Sequence, residues 1–247
     1  MVFRSGNPAL RANHFAPIMG AERMTINGTI NKTLTLIGMV FISALLAFSI
    51  CLTNPETAVI MLIGGSLGGF VLLLVIMFTR PQQPQVLMSM YALIEGLFVG
   101  SMSYVVEKEY LGGTDGVVVQ ALVATMGVFI LMLTLYRYKI IQPTEKFVLA
   151  VVSIAGAIML VYLVNMLLLF MGTSIPFIHS SGPIGIAFSI VATGMASLFL
   201  IIDFGVIENG VKNGAPKSME WYGAFGLVVT LIWLYIEMLR LIAKLRD

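Results

Sequence analysis

The chain has 247 residues, of which 59% are hydrophobic and 11% charged, and its mean hydropathy is +0.99. Soluble domains carry roughly 25% charged residues, so this composition belongs in a lipid bilayer. A net charge of +2 without a basic run argues against a nucleic-acid partner, and the one cysteine, Cys51, cannot close an internal disulfide and reads as a small packing residue.

Residues 1–32 form a mostly polar tail with Arg4, Arg11 and Arg23. They lack the short apolar run of a secretory signal, so the tail is expected to be retained and cytoplasmic. His14 stands alone there, without a second metal-ligand type nearby. The triplets Asn27-Gly28-Thr29 and Asn31-Lys32-Thr33 match the glycosylation acceptor pattern but read as chance beside a cytoplasmic tail.

Residues 33–247 read as one domain of seven apolar segments, each near the ~20 residues that a spanning helix needs. They run Leu34–Leu52, Ala58–Phe78, Val86–Val106, Val117–Leu135, Phe147–Met171, Ile184–Ile207 and Trp221–Leu241. The connectors are too short for a soluble domain. Alternation over ~10 residues, the mark of a barrel strand, is absent, so the expectation is an all-α, polytopic seven-helix bundle.

In the second segment Gly64-Gly65-Ser66-Leu67-Gly68-Gly69 overlaps two small-xxx-small patterns, and Gly96 and Gly100 repeat the device in the third; both predict close helix packing. Glu95 lies near the middle of the third segment. It reads either as an interhelical hydrogen-bonder or as part of an ion or proton path. On the fifth segment Tyr162 and Asn165 are expected to hydrogen-bond across helices. His179, in the following connector, is again solitary.

The last two segments each carry an acid in apolar surroundings, Asp203 and Glu237. A carboxylate at the centre of a spanning helix costs on the order of 2.5–3.5 kcal/mol, so such residues face a bundle interior or a wet cavity. The pair is the expected functional centre, titrating as a unit if the side chains meet. Depth arithmetic opposes a meeting: Asp203 is about 6 Å from one end of its segment and Glu237 about 24 Å beyond Trp221, at 1.5 Å per residue. A bent lead-in over Met219 to Gly226 would bring them together.

Lys and Arg counts place the N-terminus in the cytoplasm, since Lys32, Arg80, Arg137, Lys139, Lys146, Lys212 and Lys217 join the tail arginines on one side and Lys108 stands opposite. Arg240, Lys244 and Arg246 then fall outside, against the rule. Two readings follow: the last helix crosses incompletely, or late charges fail to override earlier ones.

The motifs Ser5-Gly6-Asn7-Pro8-Ala9-Leu10, Met24 to Thr33, Glu95-Gly96, Asp203-Phe204 with Ile207-Glu208-Asn209-Gly210, and Leu234-Tyr235-Ile236-Glu237 together resemble the Bax inhibitor-1 family in its bacterial branch, over nearly the whole chain. The resemblance implies a bundle whose last helix is central, wrapped by the other six. It also implies a pH-sensitive cation leak, calcium being the ion usually named, sensed by acids on the sixth and seventh helices. Asp203 and Glu237 would be that pair and a weak calcium site, with Glu95 on the pathway and Arg80 as a latch or simply a flanking charge. Glu237 departs from the Asp common in the family. No cofactor is expected, and no enzyme activity, because the Gly-x-Gly-Asp pattern of intramembrane aspartyl proteases is absent. The rival expectation is a regulator or partner of a membrane protease or quality-control complex. In either case the protein is expected in the cell membrane.

Overall fold

The computed structural model describes residues 22–247 except 80, 82, 111–115, 174, 176, 177 and 179, and leaves out the side chains of 109, 110, 166, 169 and 170. Arg80, His14, His179 and the motif at 5–10 lie outside the described residues. Among the described residues seven long helices follow one another: α1 (Ile26–Thr53), α2 (Thr57–Thr79), α3 (Gln85–Tyr104), α4 (Val117–Arg137), α5 (Glu145–Phe170), α6 (Pro183–Lys212) and α7 (Met219–Arg246). All seven are long and apolar enough to cross a membrane. A π-helical turn, Val105–Tyr110, extends α3.

α1 begins at Ile26, well before Leu34, so the boundary drawn at residue 32 falls inside a helix. Hydropathy misses this start because the first two turns are polar. Local chemistry sets it: Thr25 is extended and its hydroxyl accepts the Gly28 N–H at 2.9 Å, a standard N-cap contact.

α7 is the central helix. Its buried residues include Leu227, Val228, Thr230, Ile232 and the unbroken run Leu234 to Glu237, so it presents no stripe to lipid. It packs on α1, α3, α4 and α6; α2 leans on α3, and α5 on α6. One side of α7 meets Leu36, Val40, Met88 and Tyr91, the other Ala196, Leu200 and Phe204. Tyr91 and Phe225 meet edge to face at 4.9 Å. α5, by contrast, is apolar all round and exposes Leu149, Leu160 and Leu163.

The glycines act as packing surfaces. A Cβ on Gly100 would sit 2.2 Å from the Ala44 carbonyl oxygen, and one on Gly96 2.6 Å from that of Val40, so α1 and α3 touch backbone to backbone. Ser43 reinforces the seam by donating to the Leu93 carbonyl at 2.6 Å. On α2, Gly65 packs on the Phe98 backbone in the same way. Gly100→Val should therefore cost about 1–3 kcal/mol through overpacking, read as a lower unfolding midpoint in detergent. Gly127→Val, where a Cβ meets nothing within 4 Å, should shift it little. Cys51 is fully buried beside Ala58 and Tyr104, as its packing role requires.

α7 runs antiparallel to α6 along the length of that helix. At its C-terminus Lys244 donates to the Gly185 carbonyl at 3.0 Å and to Ser189 Oγ at 2.9 Å, both at the start of α6, and Ser181 bonds Asp247. Its 28 residues span about 42 Å against the ~30 Å of a bilayer core. The helix is therefore long enough for a full crossing. The charge anomaly softens too, because Arg240 pairs with Glu237 and Lys244 is buried, which leaves Arg246 as the exposed cation of that tail. Below, the near end is where α1 and α7 begin, and the far end is where α7 finishes.

Candidate functional site

Three acids lie in the spanning region, at three separate places. Asp203 faces α7 from α6. Its carboxyl hydrogen-bonds Thr230, its Oδ1 lies 3.8 Å from where a Cβ on Gly226 would stand, and its buried Oδ2 has no hydrogen-bond partner among the described residues. A Cβ at Gly226 would thus make only ordinary van der Waals contact with the carboxyl.

Glu237 is fully buried. The Tyr162 hydroxyl of α5 reaches both its oxygens, at 2.9 and 3.0 Å, and Trp233 Nε1 donates at 3.2 Å. Arg240, one turn on, approaches Glu237 Oε1 at 3.4 Å and lays its guanidinium over the Tyr162 ring at 4.9 Å. The carboxylate is thus held by one cation and two neutral donors. Phe188 of α6 closes the aromatic wall, edge to face on Tyr162 at 5.8 Å.

The structure does not bring Asp203 and Glu237 together. Their partners differ, and Thr230 and Glu237 are seven residues apart on a continuous helix, about 10 Å along its axis. The bent lead-in that would have joined them is absent, since α7 is helical from Met219 onward. A cation held by either acid would therefore draw its remaining oxygens from hydroxyls, carbonyls or water, and among the described residues no group of three His, Cys, Asp or Glu side chains gathers.

Glu95 lies between α3 and α2, half-buried, with Oε2 2.0 Å from where a Cβ on Gly69 would stand. The second-helix glycines therefore do two things: they let α3 approach and leave room for a carboxyl. Asn165 accepts the Ile175 N–H at 2.9 Å and so anchors the α5–α6 connector. At the far end the Ser103 and Tyr235 hydroxyls share a buried hydrogen bond of 2.7 Å, and Glu107 in the π-helical turn accepts the Val118 N–H at 3.0 Å, capping α4 from α3.

The near end holds the contact that the sequence did not disclose. Glu220, in the first turn of α7, is 1% exposed. It accepts both the backbone N–H and the hydroxyl of Thr25, each at 2.9 Å, and pairs with Lys32. In an ordinary capping box a Glu three residues after the N-cap reaches back to the cap's N–H. Here that position is Gly28, and Glu220 arrives from another helix to do the same work; a Cβ on Gly28 would sit 2.1 Å from its Oε1. The segment before α1 joins in: Met24 N–H donates to the Ala215 carbonyl at 2.8 Å, and Lys217 N–H to that of Glu22 at 2.9 Å. The motif from Met24 to Thr33 is therefore a clasp on the α6–α7 turn. One signal for it was present, a Thr25 cap whose third following residue is a glycine rather than an acid.

Tyr136 bonds Glu208, which also pairs with Lys212 at 2.5 Å, so the acid of the Ile207-Glu208-Asn209-Gly210 motif braces α4 against α6.

Compared with known proteins, the chain is matched by the family model described as Bax inhibitor 1 like over residues 7–247. No curated protein matches it.

Proposed function

This chain belongs to the Bax inhibitor 1 like family, and from that premise we propose that this multi-pass membrane protein is a pH-sensitive cation leak, with calcium as the permeant ion and Asp203 as the group that reads protons. The observation that supports the reading is the buried Asp203 Oδ2, which has no hydrogen-bond partner among the described residues and sits against the central helix. Polar groups left unpaired in an interior are rare, and each asks for a reason. Ionised, Asp203 offers a cation a carboxylate oxygen whose lone pairs are unclaimed. Hard cations want several oxygens, so one carboxylate with the Thr230 hydroxyl makes a site for transit rather than storage. Protonation withdraws the charge, and the leak falls with it.

Glu237 has a different task in this account. Arg240 neutralises it and Tyr162 and Trp233 hold it, so it closes the far half of the path while the pair is intact. In this account Arg240 is the cation that latches Glu237. On this reading the protein sits in the cell membrane with its near end, where the basic residues gather, facing the cytoplasm.

Calcium flux into liposomes holding the purified protein tests the reading. Flux should fall as pH drops from neutral to acid. Asp203→Asn should lower it about tenfold, equivalent to ~1.4 kcal/mol of lost cation affinity, and flatten the pH profile. Pure protein that passes no calcium yet co-purifies with a membrane protease would overturn the leak and favour a docking role.

A further inference from the structure

Beside the Glu220 clasp an open cleft of about 680 Å³ faces the near end of the bundle. Its walls carry three cations, Arg23, Lys32 and Lys217, and two carboxylates, Glu22 and Glu220. Both carboxylates are already engaged, Glu220 by Lys32 and Glu22 by Lys217. The Glu22 carboxylate holds the Lys217 ammonium above the ordinary lysine range. Arg23 has no carboxylate partner among the described residues; its guanidinium lies beside Gly214.

The cleft therefore carries one uncompensated positive charge. It also has spare donors, since an ammonium has three N–H groups and Lys32 gives one to Glu220. Trp221 lines the cleft, and Lys32 stands 5.6 Å over its ring, the kind of aromatic that settles at the headgroup level of a bilayer. Along α1, directly below, Ile26, Ile30 and Leu34 are 48%, 48% and 62% exposed and form a lipid-facing strip.

We propose that this cleft takes the phosphate of an anionic phospholipid from the leaflet at that end, with its acyl chains running down α1 over Ile30 and Leu34. Basic pockets between helix ends are the usual seats of such headgroups. A zwitterionic lipid fits less well, because its ammonium would need a carboxylate and neither Glu22 nor Glu220 is free.

The chain has two tryptophans, so Trp233→Phe leaves Trp221 as the only indole. In that full-length background, phosphatidylglycerol brominated near the glycerol end should half-quench Trp221 at an about fivefold smaller mole fraction than brominated phosphatidylcholine, the effect expected of one basic side chain. Arg23→Gln should abolish the preference, and Arg23→Lys should keep it. Equal quenching by the two lipids in the parent, or a preference that survives Arg23→Gln, overturns the proposal. So does displacement of the brominated lipid by inorganic phosphate alone, which would make the cleft a site for free anions.

Discussion

Replacing Lys32 by Met should destabilise the fold by about 3–5 kcal/mol, the cost of stranding a buried carboxylate without its cation. Glu220 is 1% exposed and among the described residues Lys32 is the cation paired with it, Lys217 acting on it only at longer range. The loss should be partly reversed by Glu220→Gln in the same chain, because a glutamine carbonyl still accepts from Thr25 while carrying no charge to bury. Removing one partner of a buried pair is worse than removing both, and this ordering separates an ion pair from mere packing. Equilibrium unfolding in detergent reads it directly. A Lys32→Met protein as stable as the parent would show that the clasp is decorative.

Tyr162→Phe should cost about 1.5–3 kcal/mol, the range for a hydrogen bond to a charged group. Its hydroxyl is within 3.0 Å of both Glu237 oxygens, and no other residue of α5 reaches that carboxylate among the described contacts. The ring itself survives the change, so Arg240 keeps its stacking surface and the deficit reports the hydroxyl alone. Pairing the change with Glu237→Gln should recover part of the loss, since an amide tolerates a missing donor better than a buried carboxylate does. In calcium flux the single variant should raise the leak, because it loosens the contact that closes the far half. An unfolding midpoint that does not move, or a slower leak, would remove Tyr162 from the account.

The seven helices were legible because hydrocarbon sets their length and composition, whatever their neighbours are. Helix ends were less so. α1 starts at Ile26, where polar Asn27 and Lys32 depress hydropathy, and its start depends on Thr25 and on an acid 195 residues away. Glu220 was illegible for the same reason: next to a span, a lone Glu looks like any headgroup-level charge, and only the fold delivers it to Thr25. Asp203 and Glu237 teach the converse. Rise per residue alone, about 6 Å against about 24 Å, placed them at different depths. Their shared apolar setting and the family resemblance drew them into one site, and the unbent α7 keeps them in two. The burial of Lys244 and the pairing of Arg240 likewise account for a charge imbalance that counting alone left unresolved.

Independence of the two acids is the claim on which the leak account stands, and a double-mutant cycle on calcium flux tests it. The rates of Asp203→Asn, Glu237→Gln and the double variant would be measured in liposomes across acid to neutral pH. Sites this far apart, with no shared partner, should give effects on the logarithm of the rate that add within about 0.3–0.5 kcal/mol. The pH dependence should vanish with Asp203 and persist in Glu237→Gln. A coupling well above that margin, or a pH profile abolished equally by either single change, would mean that the two carboxyls act as one proton-sharing unit and would contradict the account.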